Sequence, residues 1–396
     1  VSRPPPLRTD GSNEFARFSM QVRVPQIVRD TIARNPDYPS ATKDALEALA
    51  AGIEGDEPLP APSAPGIDVP AWSAAAAAHP GETWLGAEWF FAELAVYREL
   101  AVRARFWETD RDPFAPAKEE ELASERLWDR LSAALAASAS RQQRLVGLLD
   151  ACLWGNRVDL SYAVAAGLDR RDEDLLVDDR AAAAARLDAA TRIEVIADNT
   201  GTELALDLAL VDAMLEDARA RVTLHVKSQP VFVSDALARD VWRLVSVMRE
   251  RGADARALGD RLRAAFEVGR LQLAPDPFWS GPSFLWDAPP HIARSLGQAS
   301  VVVVKGDANY RRVIGDAVWP AGTVFRDAAG YLGAPVVCVR TLKSDARVGL
   351  PPDLERRLDA ASPRWRIDGS RGVTQLCVPF DTHPTQDLSY SPPGGR

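Results

Sequence analysis

A set of short apolar runs, each closing on polar residues, constrains this 396-residue chain more than any other feature. They fall at Ile193–Ala197, Val222–Val226, Val301–Val304, Val336–Val339 and Gln375–Val378, with a weaker one near Leu271–Leu273. Each is too short for a core helix, and helical patterns separate them. That rhythm predicts an α/β fold, a mostly parallel sheet covered on both faces. The stretch "IEVIADNTGTELALDLAL" shows one unit in full. Ile193, Val195 and Ile196 make a strand, whereas Leu204, Leu208, Val211 and Leu215 recur at helical spacing. Asp198 and Asn199 therefore stand at a strand-to-helix corner. Ligands of open α/β sheets bind at such strand ends, beside helix N-termini that attract anions.

The first half reads differently. "ATKDALEALAAGI", "WFFAELAVYRELAVRARFW", "EEELASERLWDRLSAALAAS" and "RQQRLVGLLDACLW" carry helix formers and apolar stripes, which predicts an all-helical unit. A Pro-rich connector, "EGDEPLPAPSAPGIDVPAW", separates the first two helices. The Ala-rich "DDRAAAAARLDAATR" precedes the change of rhythm. We therefore expect a helical domain over 1–185 and a Rossmann-like three-layer αβα domain over 186–396. The tail "TQDLSYSPPGGR" has a disordered composition.

A formal charge of −9 argues against nucleic acid or an anionic membrane as partner. No run approaches the roughly 18 apolar residues of a membrane helix, and "VSRPPPLRTDG" lacks the layout of a secretory signal. The cytoplasm is the expected compartment, and oligomeric state is left open. Cys152, Cys338 and Cys377 are too scattered for a disulfide framework or zinc cluster, and the four histidines form no paired motif. Any metal would need oxygen ligands.

Four strand ends gather polar residues, and each residue also has an ordinary explanation. In "DNTGTE", Thr200 and Glu203 have the spacing of a helix capping box. In "HVKSQPVFVSDAL", Lys227 follows a strand, and Asp235 could be a helix N-cap. In "VVVVKGDANYRRVIGD", Gly306 either turns the chain or lets the backbone approach a ligand closely, ahead of Asp307, Asn309, Tyr310 and Arg311. In "VVCVRTLKSD", Arg340 and Lys343 could be solvated charges. Four polar strand ends together favour a site.

The motifs "LWGNRVDLS", "DNTGTEL", "KSQPVFVSD", "KGDANYRR" and "RTLK" occur in the order of, and closely resemble, the DUF89 family of metal-dependent damage-control phosphatases. The resemblance is to the subfamily with the Arg-Thr-x-Lys motif, which includes acidic-residue methyltransferase-like members. It extends weakly into "FSMQVRVPQIV", "ELAVYREL" and "DPFAPAKEEEL". Ala308 departs from a usual Leu and Val231 from a usual aromatic residue. The resemblance implies a helical domain on a Rossmann-like domain, with Asp198, Asn199 and Asp235 as ligands of Mn²⁺ or Mg²⁺, Co²⁺ or Ni²⁺ substituting. It implies substrate contacts from Glu203, Gly306, Asp307, Asn309, Tyr310 and Lys343, with Arg340 in the same signature and Asp307 and Lys343 also catalytic. The substrate would be a small phosphorylated metabolite, foremost a sugar phosphate such as fructose 1-phosphate.

Oxygen donors suit those ions, and the charge of Lys343 suits a phosphoryl group. Three rivals remain at this point. A haloacid-dehalogenase-type phosphatase would need a second Asp, its general acid, where Thr200 stands; with Asp198 given to the metal as well, water is the expected nucleophile. A carboxyl methyltransferase and a non-catalytic sugar-phosphate sensor are the others.

Overall fold

The computed structural model describes residues 3–62, 66–136, 140–155 and 174–379. The 156–161 part of "LWGNRVDLS" and the C-terminal tail lie outside them. Seven strands form one sheet: β1 (Leu175–Asp178), β2 (Arg192–Ile196), β3 (Arg221–Lys227), β4 (Leu271–Asp276), β5 (Val301–Lys305), β6 (Val336–Thr341) and β7 (Gly372–Cys377). Their order is β1-β7-β6-β5-β2-β3-β4. All neighbours are parallel except β6 and β7. The chain builds outward from β2 through β3 to β4, and from β5 through β6 to β7 in the opposite direction. The order therefore reverses between β2 and β5, the position where open α/β sheets form a ligand crevice.

Alternation along the strands explains the two cores. Val301 and Val303 face one side of the sheet, and Val302 and Val304 the other, all four almost inaccessible to water. One face is covered by helices Glu125–Ala136, Arg141–Gly155, Thr202–Met214, Ala238–Met248 and Ala253–Glu267. The opposite core includes helix Trp89–Arg103, most of whose residues are buried. A helix buried nearly all round must pair the charges it carries, as Glu93 does with Arg311 and Arg98 with Asp68.

The three-layer αβα architecture with a preceding helical region agrees with the sequence reading. Three local features differ from it. The β1 strand, ahead of residue 185, joins the sheet by pairing with β7. The pattern read through residues 119–138 is broken at Ser124, whose extended backbone (ψ 123°) separates helices Ala115–Ala123 and Glu125–Ala136. No Thr200–Glu203 capping box forms. Helix Thr202–Met214 has Gly201 as N-cap, and Glu121 Oε1 accepts the Thr202 N–H at 2.8 Å. Among the described residues, no helix is long and apolar enough to cross a membrane.

Candidate functional site

The ends of β2 and β3 are stitched together by the loops that follow them. The Thr200 N–H donates to the Ser234 carbonyl at 2.7 Å, and the Ala236 N–H to the Asp198 carbonyl at 2.8 Å. Asn199 and Asp235 pair as an isolated antiparallel bridge. Asp235 is thus not a helix cap; the N-cap of the next helix is Leu237. The Ser234 hydroxyl donates to Asn199 Oδ1 at 2.6 Å, and Asn199 Nδ2 reaches Asp198 Oδ2 at 3.2 Å and Glu203 Oε2 at 3.0 Å. Two motifs separated in sequence converge on one carboxamide.

The charges around it are buried and unbalanced. Lys227 Nζ lies 3.3 Å from Asp235 Oδ2 and donates to Asn309 Oδ1 at 2.9 Å. Lys305 Nζ lies 3.3 Å from Glu203 Oε1 and 3.0 Å from Asp207 Oδ1. Asp198, Glu203, Asp207 and Asp235 therefore face Lys227 and Lys305, four carboxylates to two ammonium groups. Burial, then the neighbouring Glu203 and Asp235, hold the Asp198 carboxyl well above the usual carboxylate range. Burial likewise pushes Asp235 up to about 6 against the pull of Lys227. Asp207 is also raised by burial to about 6, while Lys305, serving two carboxylates, is raised despite its own burial.

This environment fits a divalent cation. The carboxylates exceed the ammonium groups by two, and buried Asp235 Oδ2 has the Lys227 ammonium as an ion-pair partner but accepts no hydrogen bond. Hard oxygen donors suit Mg²⁺ or Mn²⁺. Among the described residues no group of three His, Cys, Asp or Glu side chains is arranged to hold a metal. The set at hand is instead two carboxylates and a carboxamide, with Asn199 able to present Oδ1 when its amide turns over.

The third strand end comes from β5. Gly306, at φ +80°, gives its N–H to the Val339 carbonyl and starts helix Asp307–Ile314. Asp307 Oδ1 lies 3.1 Å from Arg340 Nη1 and accepts the Lys343 N–H at 3.2 Å. Asp307, Ala308 and Lys343 line a cleft of about 620 Å³ with Asp198, Asn199, Glu203 and Asp235.

Other residues expected to touch substrate sit behind that wall. Asn309 Nδ2 donates to the carbonyls of Ala197 and Lys305, at 2.9 and 2.8 Å. Tyr310 donates its hydroxyl to Gln375 Oε1 at 3.0 Å. Arg340 stacks over the Tyr310 ring at 3.9 Å and bonds the Ala346 carbonyl at 2.9 Å. These three side chains brace the Asp307 loop. They are not among those lining the cleft.

The sequence reading missed the opposite wall, which the helical half supplies. Ser19 and Arg23 come from a π-helical turn, Ser19–Arg23, a distortion frequent at functional sites. Trp89, Glu93 and Tyr97 come from helix Trp89–Arg103, and Lys118 and Glu121 from helix Ala115–Ala123. Glu93 Oε2 accepts from Arg311 Nη1 at 2.6 Å, and Arg311 also pairs with buried Asp316 at 2.7 Å. The motif resemblance reached these helices without marking any site residue in them.

Known proteins resemble this chain along most of its length. The family described as "Damage-control phosphatase ARMT1-like domain" matches residues 19–358. Damage-control phosphatase ARMT1 of Xenopus laevis is 26% identical, over 94% of this chain and 99% of its own length. The Homo sapiens protein of that name is 30% identical over 59% of this chain and 58% of its own. A DUF89 family protein from Pyrococcus horikoshii shares the fold at a TM-score of 0.51 and 14% identity, covering 92% of this chain and 98% of its own. With a family match running from the π-helical turn past the Arg340–Lys343 strand end, the chain belongs to the damage-control phosphatase ARMT1-like family.

Proposed function

We propose that this chain is a divalent-metal-dependent phosphomonoesterase of the cytoplasm, acting on small phosphorylated metabolites, foremost sugar phosphates such as fructose 1-phosphate. One observation supports the reading: Asp198, Asn199 and Asp235 line the same cleft as Lys343 and the helix that starts at Asp307, with more buried carboxylates than ammonium groups around them. Three buried free thiols suit a reducing compartment.

Asp198, Asn199 and Asp235 would hold the ion, Mn²⁺ or Mg²⁺, with Co²⁺ or Ni²⁺ as substitutes. When bound, it supplies a Lewis acid for the phosphoryl group and lowers the pKa of water. The protein's own groups do the rest. Lys343 and the first-turn N–H groups of Asp307 and Ala308 bind phosphoryl oxygens where negative charge builds up. Gly306 is not among these donors, since its N–H serves Val339. Asp307, oriented by Arg340, takes a hydroxyl or water proton, because a carboxylate would repel phosphate. Glu203 presents its carboxylate to a sugar hydroxyl beside Asn199. The rest of the substrate faces Trp89, Glu93 and Tyr97.

With Asp198 assigned to the ion, and Thr200 offering no carboxylate for the second acidic role of a haloacid-dehalogenase-type site, water is the proposed nucleophile. Phosphate release from p-nitrophenyl phosphate and a panel of sugar phosphates, after chelation and after adding back each ion, tests the reading. Metal-restored turnover separates an enzyme from a sensor. No release with any ion would remove the proposal.

A further inference from the structure

Lys118 is the one buried cation of helix Ala115–Ala123, and it touches the candidate metal site from the other half of the chain. Its Nζ donates to Asp112 Oδ2 at 2.8 Å, to Asp240 Oδ2 at 2.7 Å and to the backbone carbonyl of Asp235 at 3.0 Å. An ammonium has three protons, and here each has an acceptor. Both carboxylates are themselves tied down: Asp112 Oδ1 accepts the Phe114 N–H at 2.8 Å, and Asp240 Oδ2 the Leu237 N–H at 2.9 Å. Such a group fixes one carbonyl in space.

The loop carrying that carbonyl needs fixing. Phe232 and Val233 both adopt the left-handed region, at φ +49° and +66°. For a β-branched residue that is a strained conformation, which persists only where the surroundings over-determine it. The helical half supplies those surroundings along the whole loop. Gln229 Nε2 donates to Asp68 Oδ2 at 2.9 Å, and Asp68 is itself paired with buried Arg98. Tyr97 packs on Phe232 with ring centroids 5.1 Å apart. Lys118 holds the loop's far end at Asp235.

We propose that Lys118 is a positioning residue for Asp235, through which the helical half sets the geometry of the metal ligand. The inference rests on Asp235 being that ligand. A Lys118 that merely joined the two halves would affect stability alone. One that positions Asp235 affects how tightly the ion is held, as partners of ligand groups generally do.

The test is titration of metal-free protein with Mn²⁺. Lys118→Met combined with Asp112→Asn and Asp240→Asn removes the ammonium without leaving unpaired charges, and Lys118→Arg keeps the charge but changes its shape. Asp235→Ala reports on the ligand itself, and Leu258→Ala, in the core of the sheet's other face, on lost stability alone. The expected result is roughly 10 to 100-fold weaker Mn²⁺ binding in the triple variant, partial recovery in Lys118→Arg, and wild-type affinity in Leu258→Ala. Amide exchange over residues 228–237 of the metal-free triple variant should quicken, and kcat should fall more than KM rises. Wild-type Mn²⁺ affinity and exchange in the triple variant, with binding lost in Asp235→Ala, would overturn this inference alone. Wild-type affinity in Asp235→Ala would overturn the ligand assignment and the inference with it.

Discussion

Gly306 is folded against the Asp198 carboxylate so closely that a methyl group on its Cα would overlap that carboxylate. The contact joins the ends of β5 and β2 at the point where the strand order reverses. Two requirements coincide there: a positive φ of 80° and the absence of a side chain. Gly306→Ala should therefore displace Asp198 as well as strain the backbone, by roughly 1–3 kcal/mol. The expected variant is folded by circular dichroism but impaired in metal binding. A Gly306→Ala protein with unchanged Mn²⁺ affinity would show that Asp198 is not where the ion needs it.

Lys343 lines the cleft just beyond β6, with its backbone N–H on Asp307. Lys343→Met keeps the stem and removes the charge. Turnover should fall by about 10² to 10³-fold, the usual effect of losing one transition-state donor, with little change in melting temperature. Lys343→Arg should recover only part of it. Steady-state kinetics beside a thermal melt decides the matter, and near-normal turnover with Met would take Lys343 out of the chemistry.

Away from the cleft, buried Glu194 accepts from Ser295 at 3.0 Å and lies 2.9 Å from His225 Nε2. Although burial opposes its charge, these partners and Arg192 bring its carboxyl below the ordinary value of 4.5. A depressed pKa contributes stability above the unfolded value, and the contribution is lost as pH falls through the folded one. Glu194→Gln should cost about 1–3 kcal/mol at pH 7, less as the pH drops below 4.5. Urea unfolding at pH 7 and pH 3.5 measures both differences; an equal gap at the two values contradicts the assignment.

The sheet was legible because its central strands announce themselves. Runs such as Val301–Lys305 are buried on both faces, so local sequence and final environment agree. Asp198 and Asn199 follow directly on one such run, whereas Asp235 lies in the loop after Lys227 and was singled out as a ligand only by the family resemblance. The edge strand Leu175–Asp178 was not legible: it is short, only partly buried, and pairs with a strand nearly two hundred residues away. Nor was the cleft's far wall. Glu93 and Tyr97 lie on a helix buried on nearly all sides, where no stripe marks the face that lines the cleft. Lys118 begins the run "KEEE", which by composition is a solvated face, and only the distant Asp235 and Asp240 reveal its role. Asn309 and Tyr310 show the converse, motif residues whose polar atoms turn inward to hold the loop.

The central claim is that Asp198, Asn199 and Asp235 hold the ion on which phosphate release depends. Asp235→Asn is nearly isosteric and removes the carboxylate beside Lys227, so it tests that claim with little change of shape. Phosphate release from fructose 1-phosphate should be measured for wild type and Asp235→Asn, chelated and then resupplied with Mn²⁺, with Mn²⁺ binding titrated in the same samples. The account predicts wild-type release that vanishes on chelation and returns with the ion, and neither binding nor release in a natively folded Asp235→Asn. Undiminished release by the chelated wild type, or by Asp235→Asn without bound metal, would contradict it.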